Sequence, residues 1–369
     1  MTTKKHFEGV SVDPDFNVKA LHDFMQAERK TTRRDVTLKG FLAREFGSDM
    51  TPDMFYRELG VDLQDMTVQK MLNTSELNRW LFPEVTRDAI RQGLEYTPFH
   101  SQLVAVSETI PSTGITMPFM DLTGINRAEV KLRDVNEGAT IPEGEIIAWR
   151  EKQVNIKKKA RGLKQTYESI MFTPIDLAAL YFEELGTQLG ADLDKDLINV
   201  AINGDQADGS EAAPVMGITT ANTLTYADVA RAWIRFKRIG RDSSVMLATE
   251  ADALTILNMD AFQKTLPANG VSPSGITINV STPLPTSQSI FVHDSMPAGK
   301  ILLVDTRRAF AQLTAMPLLI ESERIVSRQI EGEYVSIITG FANIFKDGRM
   351  VLDTTSTLGT NPGPTVYTI

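Results

Sequence analysis

Asp134-Val-Asn-Glu-Gly-Ala-Thr-Ile-Pro-Glu-Gly-Glu145 forms a turn-rich tip, followed by a polar strand over 154–167 and a long helix opening at Thr173-Pro174-Ile175-Asp176. Two glycines and Pro142 make the tip a broad reversal instead of a tight two-residue turn. Upstream, Ala128, Val130 and Leu132 alternate with Arg127, Glu129, Lys131 and Arg133, the period-two pattern of a half-exposed strand. On the return, Val154 and Ile156 share a face with Ala160 and Gly162, while the row Glu151, Gln153, Asn155, Lys157, Lys159, Arg161 is polar throughout. The spacing predicts a hairpin whose arms project on the order of 30 Å. A two-stranded ribbon of that length is marginal alone in water. The sequence offers no second layer beside it, so a neighbouring copy is the expected support.

The helix that follows is the longest expected in the chain. Thr173 suits the N-cap, Pro174 the first helical position, and Asp176 the positive end. Ala178, Tyr181, Leu185, Leu189, Leu193, Leu197 and Val200 recur at steps of three and four, forming one apolar stripe. Running to about Ile202, the helix spans roughly 40–45 Å. Gly186 and Gly190 are expected to weaken it slightly.

Elsewhere, helices are expected over 16–29, 36–46, 54–59 and 76–94, the last split or kinked at Pro83. Asp53 and Ser75 are candidate N-caps and Pro52 reads as a turn signal. Beyond a loop over 204–213, Thr225-Tyr226-Ala227-Asp228 starts a helix with Val229, Trp233, Phe236 and Ile239 on one side. A strand over 245–248 leads to a helix capped at Thr249, and 263–288 reads as a long loop. Strands of a second sheet are expected over 289–292, 300–304, 309–313 and 334–345, and 354–368 reads as a tail.

With 369 residues, 42% of them hydrophobic and 23% charged, the chain can bury a large core. Its net charge of −9 argues against a dedicated nucleic-acid binder. There is no cysteine, which excludes disulfides, thiolate metal sites and a cysteine nucleophile, and fits a reducing cytoplasm. No secretory signal pattern or membrane-spanning apolar run is legible.

The four histidines, His6, His22, His100 and His293, show no metal-ligand spacing, and no cofactor is expected. His293-Asp294-Ser295 holds the residue types of a triad, but consecutive residues on a strand cannot converge on one substrate. Asn203, Asp205, Asp208 and Glu211 miss the EF-hand spacing and read as a solvated acidic turn. Lys152, Lys157, Lys158, Lys159, Arg161 and Lys164 form an extended basic run. It reads as a solvated strand face that discourages edge pairing, or as electrostatic registration with an acidic surface of another subunit. DNA binding is the weaker reading, since only Trp149 and Tyr167 flank it.

Four segments in order, 136–143, 154–164, the capped helix ending at Asn203-Gly204, and 214–218, resemble the tailed-phage major capsid proteins of the Hong Kong 97 type. The resemblance spans about residues 100–352. It implies an α+β capsid fold with a long extended β-hairpin loop, a spine helix, and peripheral and axial domains. The implied divisions are an N-terminal helical, scaffold-like arm over 1–99, a linking strand over 100–126 and the extended loop over 127–166. A peripheral domain follows over 167–220 and 335–355, with an axial domain over 221–334 and a C-terminal tail over 356–369.

Inter-subunit contacts are then expected at Asn136, Glu137, Gly138, Pro142, Glu143, Lys157, Lys159 and Arg161, with Thr173, Pro174, Leu185, Leu189, Leu193 and Leu197 on the spine helix. The implied role is structural, not enzymatic: self-assembly into pentamers and hexamers of an icosahedral shell around double-stranded DNA, in a virion assembled in a host bacterial cytoplasm. The implied partners are the chain itself, portal and scaffold or decoration proteins, and DNA held by weak non-specific contact. The loop tip has no lysine, so no lysine–asparagine cross-link is expected, although Asn343 stands where an acceptor would be proposed. The alternatives are an encapsulin-like compartment shell and, from another class, a soluble α+β enzyme.

Overall fold

The computed structural model describes residues 18–32, 37–45, 51–58, 76–96, 99–120, 134–141, 149–166, 175–205, 211–259 and 289–364. Helices α1 (Val18–Thr32), α2 (Leu38–Glu45), α3 (Pro52–Glu58) and α4 (Glu76–Tyr96) come first, then a short turn α5 (His100–Leu103). Thr37 and Thr51 cap α2 and α3 through Oγ1, accepting from the amides of Gly40 (3.0 Å) and Met54 (3.3 Å). Pro52 is therefore the first helical residue and Asp53 lies inside the helix, which corrects the expected cap; Ser75 falls outside the described residues. The ring of Pro52 needs no partner for a nitrogen that has no hydrogen to donate. Helix α4 runs unbroken across Pro83, so the expected split does not occur.

Three β units follow. A four-stranded sheet has the order β1-β9-β10-β4, built from Val104–Thr109, Phe310–Ile325, Ile330–Asn343 and Lys157–Thr166. A five-stranded sheet has the order β5-β11-β8-β6-β7, from Val215–Ile218, Arg349–Thr357, Lys300–Val304, Val245–Ala248 and Ser289–Val292. The third unit is a two-stranded antiparallel ribbon of β2 (Gly114–Met120) and β3 (Trp149–Asn155). The strands expected as one second sheet are thus divided. Those at 289–292 and 300–304 join the five-stranded sheet, while β9 and β10 form a long hairpin in the other.

Helix α6 (Ile175–Asn203) is the expected spine, 29 residues long, or about 43 Å at helical rise. Its N-terminal half closes a core with the first helices and the four-stranded sheet: Leu21, Met25, Phe41 and Phe55 meet Ile90, Phe182, Leu185 and Val335. Residues of the expected arm are therefore bound into the body by apolar burial. The C-terminal half of α6 places Leu193, Leu197, Ile198 and Ala201 against Leu247, Leu302, Val304 and Val351 on one face of the five-stranded sheet. Helices α7 (Tyr226–Arg238) and α8 (Glu250–Leu257) cover the other face. On α7 the buried apolar residues are Val229, Ala232 and Phe236, with Trp233 only half-buried under the Lys237 ammonium.

Two further expectations are corrected. Tyr181 is 59% exposed, and Phe182 takes its place in the core. The stretch expected as a tail is fastened through residue 364: β11 extends to Thr357, the Leu358 amide donates to Ile218 O, and the Gly217 amide to Asn361 O.

Candidate self-association site

The strand pairing differs from the single hairpin that alternation alone predicts. The return strand breaks at Ile156. Before the break, β3 pairs with β2, in register from Gly114↔Asn155 to Met120↔Trp149. After it, β4 pairs with β10, from Lys157↔Thr339 to Thr166↔Ile330. Residues 157–166, most of the strand expected to need a neighbour's support, are therefore paired within their own chain. The outgoing arm at 127–133 lies outside the described residues, as do Pro142, Glu143, Thr173 and Pro174.

The tip is described over 134–141 and is exposed at every position. The Ala139 amide closes a turn onto Asn136 O at 3.0 Å, with Glu137 and Gly138 at its corner. Gly138 has φ 80°, a left-handed conformation that a Cβ would strain. Ile141 is 75% exposed, the largest exposure among the big apolar side chains described.

A buried ionic cluster fixes the root. Lys152, expected on a solvated face, is buried, because its position on β3 points the side chain inward beside Val154 and Ile156. Its ammonium donates to Asp205 Oδ2 (2.7 Å), Glu211 Oε2 (2.8 Å) and Asn343 O (2.7 Å). The loop root is thereby tied to the end of α6, the approach to β5 and the end of β10. Asp205 and Glu211 are not the solvated turn read from sequence; the lysine recruits them.

Burial alone would raise the Asp205 carboxyl. The hydrogen bond with Glu211, the charge and hydrogen bond of Lys152, and the Asn343 amide overcome this and hold it low. Burial and the hydrogen bond with Asp205 push Glu211 up to about 7. Arg349, wholly buried, donates through Nε to Ala201 O (2.7 Å) and through a terminal nitrogen to Glu211 O. Burial pulls its guanidinium down to about 10 against the opposing charges of Asp205, Glu211 and Asp347. Neither Lys152 nor Arg349 stood out in sequence as a buried ion; an isolated basic residue among strand alternation carries no such signal.

The basic strand β4 is the edge of its sheet. Cross-strand pairing places Lys159 opposite Ile337 and Arg161 opposite Val335. The Lys159 ammonium reaches Asp196 Oδ2 (2.8 Å) and Asp192 O (3.0 Å) on α6, so the acidic surface it registers with belongs to its own chain. Lys157, Lys158, Arg161 and Lys164 remain exposed.

Between this strand and α6 lies a groove of about 180 Å³. One wall is the helical stripe Leu185, Gln188, Leu189, Asp192, at steps of three and four; Lys159 and Arg161 form the other, with Val335 and Ile337 beneath. Leu185 also packs in the core, as do Leu193 and Leu197 of the same stripe. Among the described residues no group of His, Asp and Glu is arranged to hold a metal ion, and no helix is long and apolar enough to cross a membrane.

No protein-family model and no curated protein matches the sequence. Solved structures do match in fold. The capsid of an empty GTA particle aligns at TM-score 0.51 and 10% identity, over 69% of this chain and 88% of that one. A phage-related protein from Bordetella bronchiseptica aligns at TM-score 0.50 and 11% identity, over 73% and 96%. The capsid of cyanophage P-SCSP1u aligns at TM-score 0.49 and 14% identity, over 70% and 88%. At such identities the likeness is one of fold. The chain shares its mixed α+β fold with this GTA capsid subunit and this phage-related protein.

Proposed function

We propose that this chain is a major capsid protein that tiles with copies of itself into a closed icosahedral shell around double-stranded DNA. The observation that carries the reading is a capsid-type fold whose loop tip, residues 134–141, is exposed at every position. In Hong Kong 97 terms, β2 and β3 root the extended loop and α6 is the spine. The four-stranded sheet, β9 and β10 included, belongs to the peripheral domain, which leaves residues 221–309 of the expected 221–334 for the axial domain. Heterologous contacts that close on themselves generate pentameric and hexameric rings and then a shell. Each contact can be weak, because a subunit held by several neighbours gains through multivalency. The net charge of −9 supports contents held loosely, with DNA contact weak and non-specific. Portal, scaffold and decoration proteins are the further partners, and the virion, assembled in a bacterial cytoplasm, is the location.

Deleting 136–145 tests this. The expected product is folded, with an unchanged circular-dichroism spectrum, and fails to assemble; normal shells from the deletion would refute the proposal. Shells that carry protein cargo and no nucleic acid would point instead to an encapsulin-like compartment.

A further inference from the structure

Three connections meet at one end of the five-stranded sheet: residues 237–244 between the last turn of α7 and β6, residues 305–309 between β8 and β9, and residues 344–348 between β10 and β11. Hydrogen bonds hold them together. The Asp242 amide donates to Asp305 Oδ2 (3.3 Å), the Asp305 amide to Gly348 O (2.9 Å), and the Ser244 and Thr306 hydroxyls lie 3.0 Å apart. The three segments carry six basic residues against three aspartates, so this corner is positive in a chain whose net charge is −9.

All three carboxylates are engaged locally. Asp242 Oδ1 meets the Lys237 ammonium at 2.7 Å, and Asp347 Oδ1 the buried Arg241 guanidinium at 2.6 Å. Asp305 accepts from the amides of Asp242 and Arg307. Arg238, Arg307 and Arg308 are left turned to solvent. The last two are neighbours on the β8–β9 turn, where the Arg307 amide donates to Asp305 Oδ1 (3.1 Å) and the Arg308 amide to Asp305 O (3.0 Å). No large apolar side chain is exposed in these segments, so the corner lacks the apolar centre of a protein–protein interface.

We infer that this corner contacts the phosphates of duplex DNA, with Arg307 and Arg308 as the principal donors and Arg238 beside them. The inference rests on the shell reading above and names the surface that the shell's contents touch. A guanidinium forks onto two phosphate oxygens and carries no sequence information. Two or three such contacts on an acidic chain give weak binding that salt abolishes, which suits DNA that must enter and leave.

The test measures binding of a short labelled DNA duplex to the unassembled full-length chain by fluorescence anisotropy, over a range of salt concentrations. Arg307→Gln with Arg308→Gln is expected to weaken binding roughly tenfold or more at low salt. It should also reduce the slope of log K against log salt by about 2, one unit for each lost phosphate contact. Lys158→Gln with Lys164→Gln removes the same charge from exposed positions on β4 and is expected to leave affinity and slope unchanged. The amides of 307 and 308 keep their bonds to Asp305 in the variant, so its circular dichroism should match the wild type.

Light scattering on the same chains reads assembly separately. Equal loss from the two double variants, or a wild type that holds no duplex at low salt, would overturn the inference, and closed wild-type shells would leave the shell reading standing. Impaired assembly of the Arg307 and Arg308 variant with DNA binding intact would assign the corner to a neighbouring subunit and overturn it as well. Binding lost as expected, in a chain that never forms shells, would uphold the corner and overturn the shell reading.

Discussion

Gly93 of α4 and Gly186 of α6 sit at the crossing of the two helices, each pressed against the other's backbone. A Cβ on Gly93 would lie 1.9 Å from Glu183 O, and one on Gly186 would lie 2.0 Å from Ile90 O. Thr187 Oγ1 bridges the same crossing to Gly93 O at 3.4 Å. Helix propensity favours alanine over glycine at position 186 by about 1 kcal/mol. The contact predicts the opposite sign: Gly186→Ala destabilises by about 1–3 kcal/mol, since the helices must part. Chemical denaturation decides between them, and a raised midpoint for Gly186→Ala would show that the helices do not cross this closely.

Glu211 links stability to pH. Its carboxyl is raised from 4.5 to about 7, so the folded chain holds a proton that the unfolded chain releases. That stabilisation is complete below about pH 4.5 and is lost as pH rises through 7, a swing on the order of 3 kcal/mol. Asp205, held low, acts in the opposite sense, losing its contribution only as pH falls below its unfolded value of 3.8. Between pH 5 and 8 the Glu211 contribution therefore declines. Glu211→Gln, an isostere of the protonated acid, should flatten that decline and leave the variant more stable than the wild type at pH 8. Parallel pH profiles for the two proteins would contradict the assignment.

Arg349 satisfies the Ala201 carbonyl in the last turn of α6 and the Glu211 carbonyl at once. Arg349→Met leaves both carbonyls without this donor and the Asp205 carboxylate without one of its nearby opposing charges, at an expected cost of about 3–5 kcal/mol. Arg349→Lys should recover only part of it, because one ammonium cannot reproduce the two-sided geometry of the guanidinium. Denaturant midpoints for the three proteins check the order.

The long helix is legible from its apolar period and its length, and Leu185, Leu193 and Leu197 are buried as the stripe predicts. Period-two alternation likewise marked the basic strand. What alternation cannot carry is the partner. The same pattern over 154–167 suits one long arm or two short strands, and only tertiary pairing of β3 with β2 and of β4 with β10 divides it at Ile156. The same ambiguity hid Lys152. A lysine counted in a basic run reads as solvated until a folded chain brings Asp205 and Glu211, more than 50 residues away, to meet it. Gly186 was read as a weakness of its helix, because propensity is local and the crossing with Gly93 is not.

Self-assembly of the purified full-length chain, followed by sedimentation velocity and electron microscopy, tests the central claim most directly. Closed shells of uniform diameter, built from this polypeptide alone or after nucleation by a scaffold, are the predicted result. A chain that stays monomeric at high concentration, with amides 134–141 protected from hydrogen exchange by its own body, would contradict the account.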